Sequence, residues 1–199
     1  MSEICKYRRS VRRLPYLVVV LALSACSTSS RLIDEFLDPR TGVTVTRNVT
    51  PLVLYRENPS RAAYARNYVH LGPIEINRTG SFRYYVWVGI WNTMQASDPT
   101  HQRDGFESIT VFADGEPLLL ELTGWTPDAI GASTPVYQRP VGSAADAYYK
   151  VTVDQIRLIA EASDIRLRTT GTSSIEYHLW DGQNTAHRGF EAFLQAALY

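Results

Sequence analysis

Cysteine is scarce in this chain of 199 residues, which contains only Cys5 and Cys26. So few cysteines exclude a disulfide-rich framework, and no paired CxxC motif is present to hold zinc. The fold therefore has to depend on its apolar core. The composition supplies one, since 45% of the residues are hydrophobic and four are tryptophans.

Long apolar runs are missing too, because the run from Leu14 to Leu23 is too short to cross a bilayer. A spanning helix needs about 20 apolar residues, roughly twice this length. A basic cluster precedes the run, as at the start of a secretory signal peptide: Lys6, Arg8, Arg9, Arg12 and Arg13. The sequence therefore predicts a targeting segment, with a twin-arginine route through Arg8 and Arg9 as the minor alternative.

The apolar run ends in Leu23-Ser24-Ala25-Cys26, where small residues precede a cysteine. This motif resembles the lipobox of bacterial lipoproteins, and the resemblance covers residues 1–30. It implies that Cys26 receives a diacylglyceryl group and becomes the first residue after cleavage by signal peptidase II. Two or more acyl chains give stable anchoring. Ser27 in place of aspartate implies sorting to the outer membrane, on its periplasmic side, and an ordinary secretory signal with an incidental cysteine is the alternative.

Neither sign of charge dominates the chain, which carries 20 Lys and Arg against 20 Asp and Glu. Residues 1–25 hold five of these bases and one of the acids, so the remainder has 15 against 19 and is mildly acidic. This balance argues against nucleic acid as a partner and against a basic face for anionic lipid. Loss of Cys5 with the signal and lipidation of Cys26 would also leave no disulfide.

We divide the chain into a signal peptide over 1–25, a lipidated terminus and tether over 26–38, and one domain over 39–199. The 174 residues after the signal suffice for a single domain with a substantial core. Residues 27–31 have no apolar pattern, so we expect a flexible tether there. Residues 31–38 are compatible with one helical turn.

Short alternating strands and turn signals predict a mainly β (α+β) domain, an antiparallel β-sandwich with a short central helix and a C-terminal amphipathic helix packed on the sheet. A hairpin around Arg78-Thr79-Gly80 is expected to place Ile76 opposite Phe82, and another at Asp114-Gly115 to place Val111 opposite Leu118. The central strand is expected over Phe82–Thr93 because both of its faces are apolar.

Helical signals occur at three places. Ser60 is a plausible N-cap for a short helix over 61–67. Thr152 and Gln155 match a capping box before a helix over Val153–Ala162. Apolar residues at helical spacing predict a last helix over about Thr185–Leu198, with Phe193 at the centre of its buried stripe.

Catalytic and phosphate-binding motifs are lacking, among them G-x-S-x-G, H-E-x-x-H and a glycine-rich phosphate loop. One loop carries Asp98, His101 and Asp104, which are weak candidate ligands for a divalent cation and fit a solvated acidic loop better. His178 and His187 lack a fixed third ligand for a metal. We therefore expect no cofactor.

The best candidates for binding lie in a Gly/Pro-rich segment over 123–147, which is either a functional loop or a cover over an apolar edge. Trp125 and Tyr137 lie in this segment, and a large aromatic in such a loop is either pinned onto the sheet or exposed as a contact anchor. The aromatic series Tyr84, Tyr85, Trp87 and Trp91 fits a core strand better than a ligand pocket.

These patterns favour a noncatalytic envelope lipoprotein that acts in assembly or maintenance through contacts with a protein partner. The first alternative is a periplasmic module that binds a small apolar or glycan ligand near Trp125 and Tyr137. The second is a hydrolase whose histidines and aspartates are not grouped in the sequence. A flat exposed patch would favour protein contacts, and a concave aromatic pocket would favour a small ligand.

Overall fold

The computed structural model describes residues 31–59, 63–94, 102–171 and 174–197. The strands are β1 (Ile33–Asp38), β2 (Val43–Asn48), β3 (Leu52–Glu57), β4 (Arg66–Arg78), β5 (Ser81–Asn92), β6 (Ser108–Ala113), β7 (Glu116–Gly124), β8 (Ala145–Val151), β9 (Ile165–Thr169) and β10 (Glu176–Leu179). The helices are α1 (Val153–Glu161) and α2 (Asn184–Ala197), with a 3-10 turn at Pro127–Ile130. Within these ranges, no helix has the length and apolar character that a membrane crossing requires.

Eight strands form a closed antiparallel barrel in the order β4-β3-β10-β9-β6-β7-β8-β5. Pairing of β5 with β4 along the whole hairpin closes the ring. The predicted sandwich is therefore wrong, although the fold is mainly β. Closure gives each barrel strand two hydrogen-bonded neighbours and so removes its free edges.

Strands β1 and β2 lie outside the ring, as an extension of β4. This is possible because β4 has 13 residues, of which 66–71 pair with β3 and 74–77 pair with β2. β1 then pairs with β2 on its other side. The helical turn expected over 31–38 is wrong because Ile33–Asp38 is a strand, and the ordered sheet begins within the expected tether.

The first hydrophobic cluster, here called the barrel core, fills the ring. Alternate residues of the strands point inward, such as Ile109 and Val111 on β6 and Ile165 and Leu167 on β9. The apolar faces of both helices belong to the same cluster. Helix α2 contributes buried residues at helical spacing: Ala186, Phe190, Phe193 and Leu194. The amphipathic pattern read from the sequence therefore packs as predicted.

Local signals fix the start of α1 and one hairpin. The capping box of Thr152 and Gln155 is present at the start of α1. In the β6–β7 hairpin, Val111 lies opposite Leu118, which confirms the predicted register. Asp114 and Gly115 both have positive φ, as a type I′ turn requires.

Two local predictions fail in the segment that leads into β4 and β5. The β4–β5 hairpin turns through Thr79 and Gly80 alone, with φ of 50° and 87°, so Ile76 lies opposite Arg83 instead of Phe82. The prediction of a helix over 61–67 is also wrong, since residues 66 and 67 belong to strand β4. Residues 60–62 lie outside the described ranges.

The second hydrophobic cluster, here called the outer core, lies on the outside of the barrel. It consists of Val43, Val45, Ile74, Ile76, Tyr85, Trp87, Ile130, Ala132, Val136, Tyr137 and Tyr148. Residues 125–144, here called the cover loop, supply four of these side chains and lie over the others. β5 is therefore covered on both faces, as its two-sided apolar pattern predicted.

Candidate functional site

The residues singled out for metal binding do not form a site in the described chain. Asp98 and His101 lie outside the described residues, as does Cys26, and Asp104 is exposed. His178 lies 3.9 Å from a carboxylate oxygen of Glu176 and is exposed. Among the described residues, no group of three or more His, Cys, Asp or Glu side chains could hold a metal ion.

Tyr137 lies in the outer core, where its ring stacks on Trp87 at 4.6 Å between centroids. Its hydroxyl lies 2.7 Å from Asn48 Oδ1 and 2.7 Å from the carbonyl oxygen of Pro73. Burial raises the pKa of this phenol well above its ordinary value. Both the ring and the hydroxyl are therefore engaged inside the protein, and Tyr137 is only 2% exposed.

Trp125 is separate from Tyr137, because it follows β7 and packs against the barrel core. Its side chain is half-buried, and the guanidinium carbon of Arg103 lies 5.0 Å from its ring centroid. A guanidinium over an indole face is a favourable cation–π arrangement. The two aromatic residues proposed as one binding site therefore lie in different clusters.

A buried carboxylate pins the cover loop to the barrel. Asp146 accepts hydrogen bonds from Trp87 Nε1 at 3.0 Å and from Arg139 Nε at 2.8 Å. Arg139 Nη2 lies 2.7 Å from the same oxygen, Oδ2, so two guanidinium nitrogens share one carboxylate oxygen and Trp87 binds the other. A buried charge is stable only when it is paired and hydrogen-bonded, and these three contacts satisfy it.

The other side of the loop is pinned to the end of β1. Asp38 accepts hydrogen bonds from Ser133 N at 2.5 Å, Ser133 Oγ at 2.7 Å and Arg40 N at 3.0 Å. These bonds to Ser133 and Arg40 favour the ionised form and hold the pKa of Asp38 well below its usual range. Of the two interpretations of this segment, a cover over an apolar surface describes its geometry.

A groove of about 350 Å³ lies between this loop and two strand turns. It is lined by Arg40, Thr41, Arg78, Pro127, Asp128, Gly131, Ala132 and Ser133. The two guanidinium groups are offset by the carboxylates of Asp128 in the lining and of Asp38 next to Ser133. The groove therefore has no excess of charge that would select an anion.

Aromatic side chains gather on the outside of β3, β4, β5 and the end of β10. We call Tyr55, Tyr68, Trp91 and Trp180 the aromatic surface. Tyr68 stacks on Trp91 at 4.4 Å between centroids, because the two residues are paired across β4 and β5. Trp180 lies edge-on to Tyr55 at 5.0 Å and 5.7 Å from Tyr68. Aromatic pairs at these distances are mutually stabilising.

Arg66 covers part of this cluster. Its guanidinium carbon lies 5.7 Å from the Tyr55 centroid and 5.4 Å from the Trp180 centroid. Its Nη2 atom is 3.6 Å from Glu57 Oε1. The surface therefore combines tyrosine, tryptophan and arginine, the residue types that contribute most to protein interfaces.

His70 lies beside the aromatic surface, 6.2 Å from the Trp91 ring and 6.4 Å from the Trp87 ring. Burial lowers the pKa of His70 to about 4. The imidazole is therefore neutral at pH 7 and adds no charge to this part of the molecule.

Three large exposed apolar side chains lie at or beside the aromatic surface, whereas Leu37, Val49, Phe82 and Leu119 are exposed elsewhere. Tyr64 is 90% exposed, Met94 is 51% exposed and Trp180 is 36% exposed. Tyr64 and Met94 are close to the ends of β4 and β5, which are tied together by a hydrogen bond from Thr93 N to Arg66 O at 3.0 Å. Scattered exposed apolar residues are ordinary, but a cluster of them marks an interaction surface.

Sequence reasoning placed Trp91 in the core and did not group it with Tyr55, Tyr68 and Trp180. No local pattern groups these residues, because Tyr55, Tyr68 and Trp91 lie in three separate strands and Trp180 follows a fourth. The residues meet because β10 pairs with β3, and β3 with β4. Comparisons with family models, curated proteins and solved structures find no match for this chain.

Proposed function

We propose that this protein is a noncatalytic envelope lipoprotein, anchored through Cys26 to the periplasmic side of the outer membrane, that binds a protein partner with its aromatic surface. The observation that carries the binding role is the concentration of aromatic and exposed apolar side chains around Trp180. The lipobox supports the anchor. Together they describe a folded binding module held at a membrane by lipid.

The chemistry of the surface favours a protein over a small ligand. A sugar ring or a flat apolar ligand needs a free aromatic face to stack on. Tyr68 and Trp91 each use one ring face on the other, and Arg66 lies over Tyr55 and Trp180. Exposed Tyr64 and Met94 adjoin these rings, and aromatic residues, methionine and arginine are the types enriched in protein interfaces.

The anchor is tested by Cys26→Ala. We expect the variant to remain unprocessed by signal peptidase II and to lack lipid, because the acyl acceptor has been removed. Mass spectrometry of the purified protein and partition into detergent report both steps. A Cys26→Ala protein of mature size that still partitions into detergent would contradict the lipoprotein proposal.

The surface is tested by photo-crosslinking in intact cells. A benzoyl-phenylalanine probe replaces Tyr64 or Met94, and a probe at Leu119, which is also exposed but lies on β7, is the matched control. We expect a discrete crosslinked protein from the first two positions and none from Leu119. Trp180→Ala should weaken the Met94 crosslink strongly, since aromatic anchors carry about 2 kcal/mol or more of binding. Equal crosslinking from all three positions would contradict the proposal.

A further inference from the structure

The closed ring leaves a free sheet edge at β1. Among the described residues, each barrel strand has two neighbours, whereas β1 stands at the end of the strand order and pairs with β2 alone. An unpaired edge presents a row of backbone N–H and C=O groups to any other extended chain. In the described ranges, no hydrogen bond from outside the sheet reaches the backbone of residues 33–37.

The hydrogen-bonding pattern shows which residues of β1 point outward. Val49 N donates to Leu32 O at 2.8 Å, so Leu32 and Val49 form a hydrogen-bonded pair. Such pairs alternate along an antiparallel ladder, so the even-numbered residues of β1 bond to β2. The backbone groups of Ile33, Glu35 and Leu37 therefore face away from β2 and are available to an added strand.

Side chains next to this edge lack basic partners on one face. Glu35 and Glu75 share that face, since each lies opposite Thr46 in the β1–β2–β4 pairing. Glu75 is 7% exposed and its Oε2 atom has no hydrogen-bond partner. Burial and the nearby charge of Glu35 raise the pKa of Glu75. On the opposite face, Asp34 is already paired with Arg47 at 3.0 Å.

An apolar position adjoins the acidic one. Leu37 is 63% exposed and follows Glu35 on the same face of β1. Because side chains alternate along a strand, a chain added beside β1 would place alternate residues next to Glu35 and Leu37. The edge therefore favours a strand that presents a basic residue and then an apolar one on this face.

We propose that β1 binds an extended basic segment of a partner protein as an eleventh strand, with a lysine or arginine beside Glu35 and an apolar side chain beside Leu37. This is strand addition, in which the backbone supplies affinity and alternate side chains supply specificity. A second copy of the chain fits less well. Antiparallel pairing of two β1 strands centred on Glu35 would place the two Glu35 carboxylates side by side, and like charges directly opposite each other are destabilising. The edge is distinct from the aromatic surface, so either proposal can fail alone.

The test uses the full-length chain in detergent and two synthetic seven-residue peptides, Lys-Thr-Val-Thr-Lys-Thr-Val and Glu-Thr-Val-Thr-Glu-Thr-Val. In an extended strand, each peptide presents charged and apolar side chains in turn on one face and threonines on the other. Fluorescence anisotropy measures binding, and hydrogen exchange measures protection of the Glu35 and Leu37 amides. We expect the lysine peptide to bind, to protect both amides and to dissociate at high salt. Equal binding of the glutamate peptide, or binding without protection of these amides, would overturn the proposal.

Substitutions separate the contribution of the β1 backbone to peptide binding from that of its side chains. Leu37→Pro removes one outward N–H without touching the ladder to β2, and it should weaken binding of the lysine peptide by about tenfold, the equivalent of one lost hydrogen bond of about 1.4 kcal/mol. Leu37→Ala is the comparison at the same position, because it removes the apolar side chain and keeps the N–H, and it should weaken binding by about threefold, less than Leu37→Pro does. Glu35→Gln should weaken binding by about fivefold and reduce its salt dependence. Unchanged affinity for the lysine peptide in both Leu37→Pro and Glu35→Gln would overturn the proposal. If Leu37→Pro does not fold, protection of the Glu35 and Leu37 amides in the wild-type protein tests the backbone contact instead.

Discussion

The barrel core and the outer core are built from the same strands but stabilised differently. The barrel core is mainly aliphatic, with the phenylalanines of α2 packed into it. The outer core is rich in stacked rings, and it is bordered by the buried polar groups of Asn48 and Asp146. Apolar burial is nondirectional, whereas buried polar groups need partners at fixed distances. The barrel core should therefore respond to lost volume, and the outer core to small changes in shape or hydrogen bonding.

The largest effect is expected in the barrel core. Phe193→Ala should lower the free energy of unfolding by about 3 kcal/mol, because it leaves a cavity where a fully buried ring packed. Chemical denaturation measures the change. Phe82→Ala, at an exposed phenylalanine, is the control and should cost less than about 0.5 kcal/mol. Equal effects of the two substitutions would mean that α2 does not pack into the ring.

The outer core should resist an added methyl group. A Cβ on Gly72 would lie 2.5 Å from Tyr137 Cζ, so Gly72→Ala should cost about 2 kcal/mol by overpacking. Gly142→Ala is the control within the cover loop, since a Cβ there meets nothing within 4 Å. Denaturation midpoints compare the two variants. Because Tyr137→Ala removes the clashing ring, the double variant should lose less free energy of unfolding than the two single variants lose together. A loss equal to or larger than that sum would show that the clash does not explain the effect of Gly72→Ala.

Removing the hydroxyl of Tyr137 is expected to destabilise the outer core and leave the barrel core unchanged. Tyr137→Phe leaves Asn48 Oδ1 and the Pro73 carbonyl without their 2.7 Å partner. The expected cost is about 1.5 kcal/mol, the range for unsatisfied buried acceptors. Limited proteolysis should detect faster cleavage within the cover loop. Cleavage in barrel strands at the same rate would show that the two cores are not separable.

Two patterns confined to neighbouring residues predicted their structures correctly. The capping box needs only Thr152 and Gln155, and the Asp114-Gly115 turn fixes the β6–β7 register through φ angles that glycine and aspartate tolerate. The same reasoning placed the β4–β5 register one residue off. A two-residue turn through Thr79 requires a positive φ at threonine, which is uncommon for a β-branched residue.

Two features depend on contacts between residues that are distant in sequence: the closure of the ring and the aromatic surface. β10 pairs with β3, placing His178 opposite Tyr55, more than half the chain away. Alternation marks the buried face of each strand but does not say which strand is its neighbour, so sandwich and barrel give the same pattern. The aromatic surface was missed for the same reason, because Trp180 meets Tyr55 only through this pairing.

The smallest effect is expected from pH. Burial lowers the pKa of His70 from 6.5 to about 4, so the unfolded chain takes up a proton at higher pH than the folded one. Stability contributed by neutral His70 is present above about pH 6.5 and is lost as the pH falls toward 4. Between pH 7.5 and 6 the loss should be under about 1 kcal/mol. Denaturation across this range should show a shallower pH slope in His70→Gln, and an identical slope would contradict the assignment.

Amide hydrogen exchange tests most directly whether the outer core opens without the barrel. The Ser133 amide, bonded to Asp38, reports on the cover loop, and the Val111 amide, which faces Leu118, reports on the β6–β7 part of the ring. We predict that Ser133 exchanges through a local opening with a lower free energy than that of Val111. Tyr137→Phe should speed exchange of Ser133 by about tenfold and leave Val111 unchanged, as expected for a local loss of about 1.4 kcal/mol. Exchange of both amides with the same free energy, changing together in Tyr137→Phe, would contradict the account.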